Sequence, residues 1–222
     1  MNLLTWSLVL AVLPASGEMK VVQPSAPVTV YTQFDQAPTE GVLASLQNEV
    51  ETIMAPIGLN FEWRSLEKCT GREFAVELVV ATFKGACEVV PFPEQAGAGG
   101  ALGWTHTSNG EVLPFTDVDC GRISRLLGPS LVHIDPDERE ETLGRAIGRV
   151  LAHEFYHVFA RTSHHGSWGV AKPYYSVSEL LAKEFNFEAR ESTLLRHSKV
   201  ITVLRQAAGD PRAAAFRAGN KH

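Results

Sequence analysis

The strongest constraint on this chain is a run of helical periodicity between Asp135 and Ala160. Asp135-Pro136-Asp137-Glu138 supplies an N-cap, a proline at the first helical position and an acidic residue at the third. Leu143, Ile147, Val150 and Leu151 then fall on one side, so the helix must bury that side against other elements. The same helix carries His153-Glu154-Phe155-Tyr156-His157 near its end. Residues i and i+4 share a face one turn apart, so both imidazoles reach toward one point, with Glu154 rotated off that face.

The elements around this helix read as an α+β chain. Val28 to Phe34 alternates as a strand, and Glu40 to Met54 has helical spacing until Pro56 and Gly58 stop it. Asn60 to Arg64 and Phe74 to Phe83 are further strands, and Gln95 to Gly103 reads as a Gly-rich loop with no phosphate-binding motif. Two apolar runs flank Asn109-Gly110, a strong hairpin signal, and Ser130 to Ile134 is one more short strand. After the long helix come a loop rich in Gly and His (161–173), a helix from Ser176 to Glu191, a helix from Leu194 to Ala207 and a frayed tail. The expected organisation is one domain, 18–222: a mixed α/β half (18–160), a helical half (161–208) and the tail (209–222).

Composition narrows the function classes. Of 222 residues, 45% are hydrophobic and 20% charged, with a formal charge of −5. Holding a phosphate backbone needs clustered Lys and Arg. No basic run exceeds two residues, so nucleic acid is not the expected partner.

Residues 1–17 hold an uncharged apolar stretch, Leu3 to Leu13, too short to span a bilayer, and end in Ala15-Ser16-Gly17. This reads as a secretory signal peptide cleaved before Glu18, the alternative being a buried N-terminal helix. No Cys follows it for lipid attachment, so no stable membrane anchor is expected after cleavage, and the mature protein is expected to be secreted or periplasmic. An exported chain can form disulfides. Cys87 ends one strand and Cys120 follows the hairpin, so they are the expected pair, with Cys69 free. Three reduced, buried cysteines are the alternative.

Two histidines on one helical face suit a zinc ion, and the adjoining glutamate suits a general base for the ion's water. On these residues the sequence resembles the zincin superfamily of zinc metalloproteases. The resemblance covers the helix bearing His153, Glu154 and His157 firmly, and the mixed half before it loosely. It implies a small mixed sheet above a cleft floored by this helix, Zn2+ as cofactor, His153 and His157 as ligands, Glu154 as base, and a peptide or protein substrate.

Such a site needs a third protein ligand and an open position. In the metzincin pattern, the positions of the required Gly and His hold Ala160 and Ser163, and no Met follows Met54 to form a Met-turn. The chain therefore looks like a metzincin-like variant. His165, beside Gly166, is the preferred third ligand; His164 competes, as does Glu179 by the gluzincin pattern. Tyr174 and Tyr175 are candidate oxyanion donors, and Trp168 a candidate pocket wall. His106, His133, His197 and His222 have no partner at ligand spacing. An extended substrate is expected to pair with the edge of the Asn109-Gly110 hairpin. Two other classes remain open: a binding module stabilised by a four-ligand structural zinc, and a metal-free secreted interaction domain.

Overall fold

A computed structural model describes residues 25–89 and 100–210. The expected signal peptide (1–17), most of the expected Gly-rich loop and all but the start of the tail lie outside the described residues. The element order is β1 (Val28–Gln36), α1 (Glu40–Met54), β2 (Phe61–Ser65), β3 (Leu78–Ala86), β4 (Gly103–Ser108), β5 (Glu111–Asp119), α2 (Cys120–Leu131), α3 (Pro136–Ala160), α4 (Val177–Leu180), α5 (Ala189–Arg196) and α6 (Lys199–Gly209). The fold is α+β, with one mixed five-stranded sheet in the order β2-β1-β3-β5-β4. All neighbouring strands run parallel except β4, which pairs antiparallel with β5 at the sheet's edge. Among the described residues, no helix is long and apolar enough to cross a membrane.

Local chemistry accounts for the element boundaries. Thr39 caps α1 by accepting the Val42 N–H, and Gly58, in the left-handed region, ends the 3₁₀ turn that follows. The β4–β5 hairpin turns through Asn109 and Gly110, both at positive φ, the conformation that a two-residue turn matched to strand twist requires. Cys87 and Cys120 are disulfide-bonded, tying the end of β3 to the start of α2, and Cys69 is free.

Helix α3 lies at the centre, packed along α1 and against β5, β4 and α2. Its contact with α1 is close because Gly144 and Gly148 face it. A Cβ at Gly144 would stand 2.5 Å from the Val42 carbonyl oxygen, and one at Gly148 2.7 Å from that of Leu46. Leu143, Ile147, Leu151 and Phe155 of α3 join Val79, Phe83 and Val118 of the sheet in one core. At its far end α3 meets β2, where the Phe61 ring lies 5.6 Å from Phe155 and 6.1 Å from Phe159.

Arg149 on α3 is buried and partnered within the core. Its Nε donates to Glu49 Oε1 of α1 at 2.7 Å, and Nη1 donates to the Glu179 and Leu180 carbonyls at 3.0 Å each. The Phe185 ring lies 4.9 Å from the guanidinium carbon.

Three expected elements differ from those observed. Ser130 to Ile134 is not a strand: Ile123, Leu127 and Leu131, all fully buried, continue the helical spacing of α2 through Pro129. The proline sits in the last turns, where only one helical hydrogen bond is lost. The helix from Ser176 to Glu191 is only the single turn of α4, followed by irregular chain to α5. Asn186 gives its carbonyl to the Val170 N–H at 3.1 Å, and Phe185 packs on Arg149 and Tyr175, which pulls this stretch out of the helix. The helix from Leu194 to Ala207 is divided, because Ser198 accepts the Ile201 N–H and so starts α6 anew.

Removing Arg149 leaves Glu49 without its cation in the core. Arg149→Leu is expected to cost about 3–5 kcal/mol in urea unfolding, as for a broken buried pair. Adding Glu49→Gln is expected to recover part of that loss, and no recovery would show that the backbone carbonyls, not Glu49, are the costly orphans.

Candidate metal centre

His153, Glu154 and His157 lie on the last turns of α3, all nearly buried. The helix ends in a Schellman motif: Arg161 takes φ 50°, the Thr162 N–H donates to the His157 carbonyl at 3.1 Å, and the Arg161 N–H to that of Val158 at 3.3 Å. This reverses the chain, so the segment after α3 runs back along it. Gly169 shapes the return, because its φ is 62° and a Cβ there would stand 2.1 Å from the Asn186 carbonyl oxygen.

Three α3 side chains one turn apart bind this returning segment. His157 Nδ1 donates to the Thr162 carbonyl at 2.7 Å, and His153 Nδ1 donates to the Val170 carbonyl at 2.8 Å. Arg149 holds the Glu179 and Leu180 carbonyls, completing the series. The Tyr175 hydroxyl also donates to the Val170 carbonyl and lies 2.9 Å from His153 Nδ1.

These bonds assign the tautomer of both imidazoles. With Nδ1–H committed to a carbonyl, Nε2 carries the lone pair. The two Nε2 atoms are 3.1 Å apart, an arrangement of two acceptors that a shared cation relieves. A tetrahedral ion bound at about 2.0–2.1 Å sets two nitrogens roughly 3.3 Å apart, close to the observed spacing. His165 completes the group. Its ring stacks on His153 at 5.2 Å and meets His157 edge-on at 4.8 Å. Ligand atoms of His153, His157 and His165 all lie within 4.8 Å of one another, so this trio can hold a metal ion.

The other two candidate third ligands stand elsewhere. His164 is exposed, and its N–H donates to Thr162 Oγ1 at 3.1 Å. The Glu179 carboxylate pairs with Lys172 and accepts from the Ser176 N–H and hydroxyl at 2.8 Å each, capping α4. Lys172, with the Ser176 bonds, holds it down to about 2. The lone pairs of this carboxylate are thus committed to the fold.

Burial decides the protonation of the two α3 imidazoles, while His165 is itself exposed. Desolvation pushes His153 down to about 3, with the neighbouring His157 adding to the effect, and it lowers His157 and His165 as well. Neutral imidazoles are the form that binds a metal. Glu154 moves the other way, pushed up to about 7 by desolvation, although Thr105 Oγ1 donates to its Oε2 at 2.8 Å. Gly103 of β4 leaves room for this carboxyl: a Cβ there would stand 2.9 Å from Glu154 Oε1.

The site floors a cleft of about 920 Å³ between β4 and the returning segment. Trp104, Val112, Leu126, Val150 and Tyr174 are among its walls. Tyr175 holds Val170 and His153 with its hydroxyl, and burial, with the charges of Glu154 and Glu179, raises its pKa. Tyr174 is exposed at the cleft, and Trp168 is exposed outside the lining. His106 has a partner that its spacing did not suggest: its Nε2 bonds Asp117 of β5. Thr105 and Arg149 carried no signal in the sequence, since one is an ordinary strand residue and the other an ordinary helix cation.

Comparison of the chain with family models, with curated proteins and with solved structures finds no match.

The depressed His153 has a consequence for metal-free protein. Between its ordinary value near 6.5 and about 3, the unfolded chain binds a proton that the folded chain refuses, so stability falls as pH drops through this window. Chelator-treated protein is expected to lose a few kcal/mol between pH 7 and pH 4 in urea titrations, with a shallower loss in His153→Gln. Equal slopes in the two proteins would count against the assignment.

Proposed function

We propose that this chain is an exported zinc-dependent metallopeptidase. The observation that carries the reading is the convergence of three neutral imidazoles on one point, with a buried carboxyl one residue along the same helix, at the floor of an open cleft. The disulfide agrees with an oxidising compartment, as export requires. His153, His157 and His165 would hold the ion. Zinc, when bound, lowers the pKa of a coordinated water toward about 7 and polarises a carbonyl.

The chain's own groups supply the rest. Glu154 takes a proton from the attacking water and returns it to the leaving amine, and a pKa near neutrality suits both transfers. Thr105 orients that carboxyl through its hydroxyl. The Val170 and Thr162 carbonyls fix the two α3 imidazoles, so that little reorganisation accompanies metal binding. Strand β4 ends the sheet, and its outer edge offers main-chain groups to an extended peptide beside Glu154.

Two variants test the reading. Glu154→Gln is expected to keep one zinc per chain and lose peptidase activity by 10²-fold or more, and full activity would reject the mechanism. Thr105→Val is expected to lower kcat by roughly tenfold with zinc content unchanged, since it removes one hydrogen bond worth on the order of 1–1.5 kcal/mol. A coordinatively saturated zinc with no exchangeable water would instead identify a structural site.

A further inference from the structure

A second cavity, of about 350 Å³, meets the cleft at Thr162 and His165, which line both. Glu191, in the first turn of α5, also lines it, with only 4% of its surface exposed. Its Oε2 is shut off from solvent and has no hydrogen-bond partner. Tyr156, Arg161 and Arg190 line the same cavity, yet among the described residues none of them bonds this oxygen. A buried acceptor without a donor is costly, so Glu191 calls for an N–H or O–H nearby.

His165 has the complementary deficit. The other two rings are fixed, because Nδ1 of His153 and of His157 donates to a carbonyl. The His165 ring meets only those two rings, and no hydrogen bond to either of its nitrogens is present among the described residues. An imidazole that gives one nitrogen to an ion carries N–H at the other, and an acceptor there sets the ring's orientation.

The chain brings the two groups together. Gly166 follows His165, and its N–H donates to the Ala171 carbonyl at 2.8 Å, which holds the backbone beside the ring. A Cβ on Gly166 would stand 3.0 Å from Glu191 Oε1 and 3.1 Å from its Cδ. The carboxylate thus lies against the residue next to His165, at a closeness that a larger side chain would prevent.

We propose that Glu191 is a positioning residue for the third ligand: its carboxylate accepts the ring N–H of His165 that faces away from the ion. This role rests on His165 being a metal ligand, as in the reading above. It needs neither peptidase activity nor any particular substrate.

Zinc affinity of the full protein, measured by competition with a chromophoric chelator, tests the role without reference to catalysis. Glu191→Leu removes the acceptor and is expected to weaken zinc binding roughly 10–100-fold. Glu191→Gln keeps an acceptor oxygen and is expected to retain most of the affinity. In His165→Ala there is no ring to orient, so adding Glu191→Leu is expected to change zinc affinity by no more than about twofold. Nitrogen-15 NMR of the zinc-loaded protein supplies a signature that packing alone would not move. The His165 ring N–H is expected to exchange slowly with solvent in the native sequence and rapidly in Glu191→Leu.

Unchanged zinc affinity in Glu191→Leu overturns the proposal. So does an equal loss in the His165→Ala background, which would assign Glu191 to a bound water or to the packing of α5. Zinc affinity unaffected by His165→Ala refutes His165 as a ligand and the proposal with it. Zinc bound with no peptide cleaved refutes the peptidase reading alone, and the affinity ratios still decide Glu191.

Discussion

Three side chains at one-turn spacing on α3 donate to backbone carbonyls of the chain that follows it, and the candidate site depends on this series. Arg149, His153 and His157 hold the carbonyls of Glu179 and Leu180, of Val170, and of Thr162. The segment between Thr162 and Leu180 has little regular secondary structure, so its carbonyls need partners from elsewhere in the molecule. The helix supplies them from residues whose opposite ends are also engaged: Arg149 with Glu49, and each imidazole Nε2 with the shared point. One set of bonds thus satisfies the backbone, sets the tautomers and carries His165 to the other two rings.

Burial acts in opposite senses on neighbouring residues of one helix. It disfavours the charged form of every group, which keeps His153 and His157 neutral and raises Glu154. A lone pair and a protonatable carboxyl are thus presented side by side without any dedicated charged partner. The sheet edge contributes through Gly103 and Thr105, one leaving space for the carboxyl and the other binding it. Position in the fold, more than residue type, gives these groups their chemistry.

Much of this was legible in the sequence because it is local. The spacing of His153 and His157, the proline that opens α3, the Asn109-Gly110 turn and the order of mixed strands before helices depend on neighbours within a few residues. The Cys87–Cys120 pair was legible through the ends of the elements that carry the two residues. What was hidden depends on distant contacts. Asn186 and Phe185 leave the helix because Val170, Arg149 and Tyr175 draw them away. The helical face of α2 was masked by Pro129. Thr105 lies 49 residues from Glu154, and Glu49 lies 100 from Arg149, separations at which no periodicity is informative. The choice among His165, His164 and Glu179 was likewise open in the sequence, because it depends on how the returning chain is tethered.

Gly144 and Gly148 bring α1 so close to α3 that the two helices share a backbone surface. That contact narrows the substitutions open to the lineage. A larger residue at either position moves α1 relative to the turn that carries Arg149 and, one turn later, His153. Side chains of α1 that never approach the cleft can therefore alter it through this contact. Substitutions on faces that α3 does not touch, such as the solvent side of α6, leave this spacing unaltered.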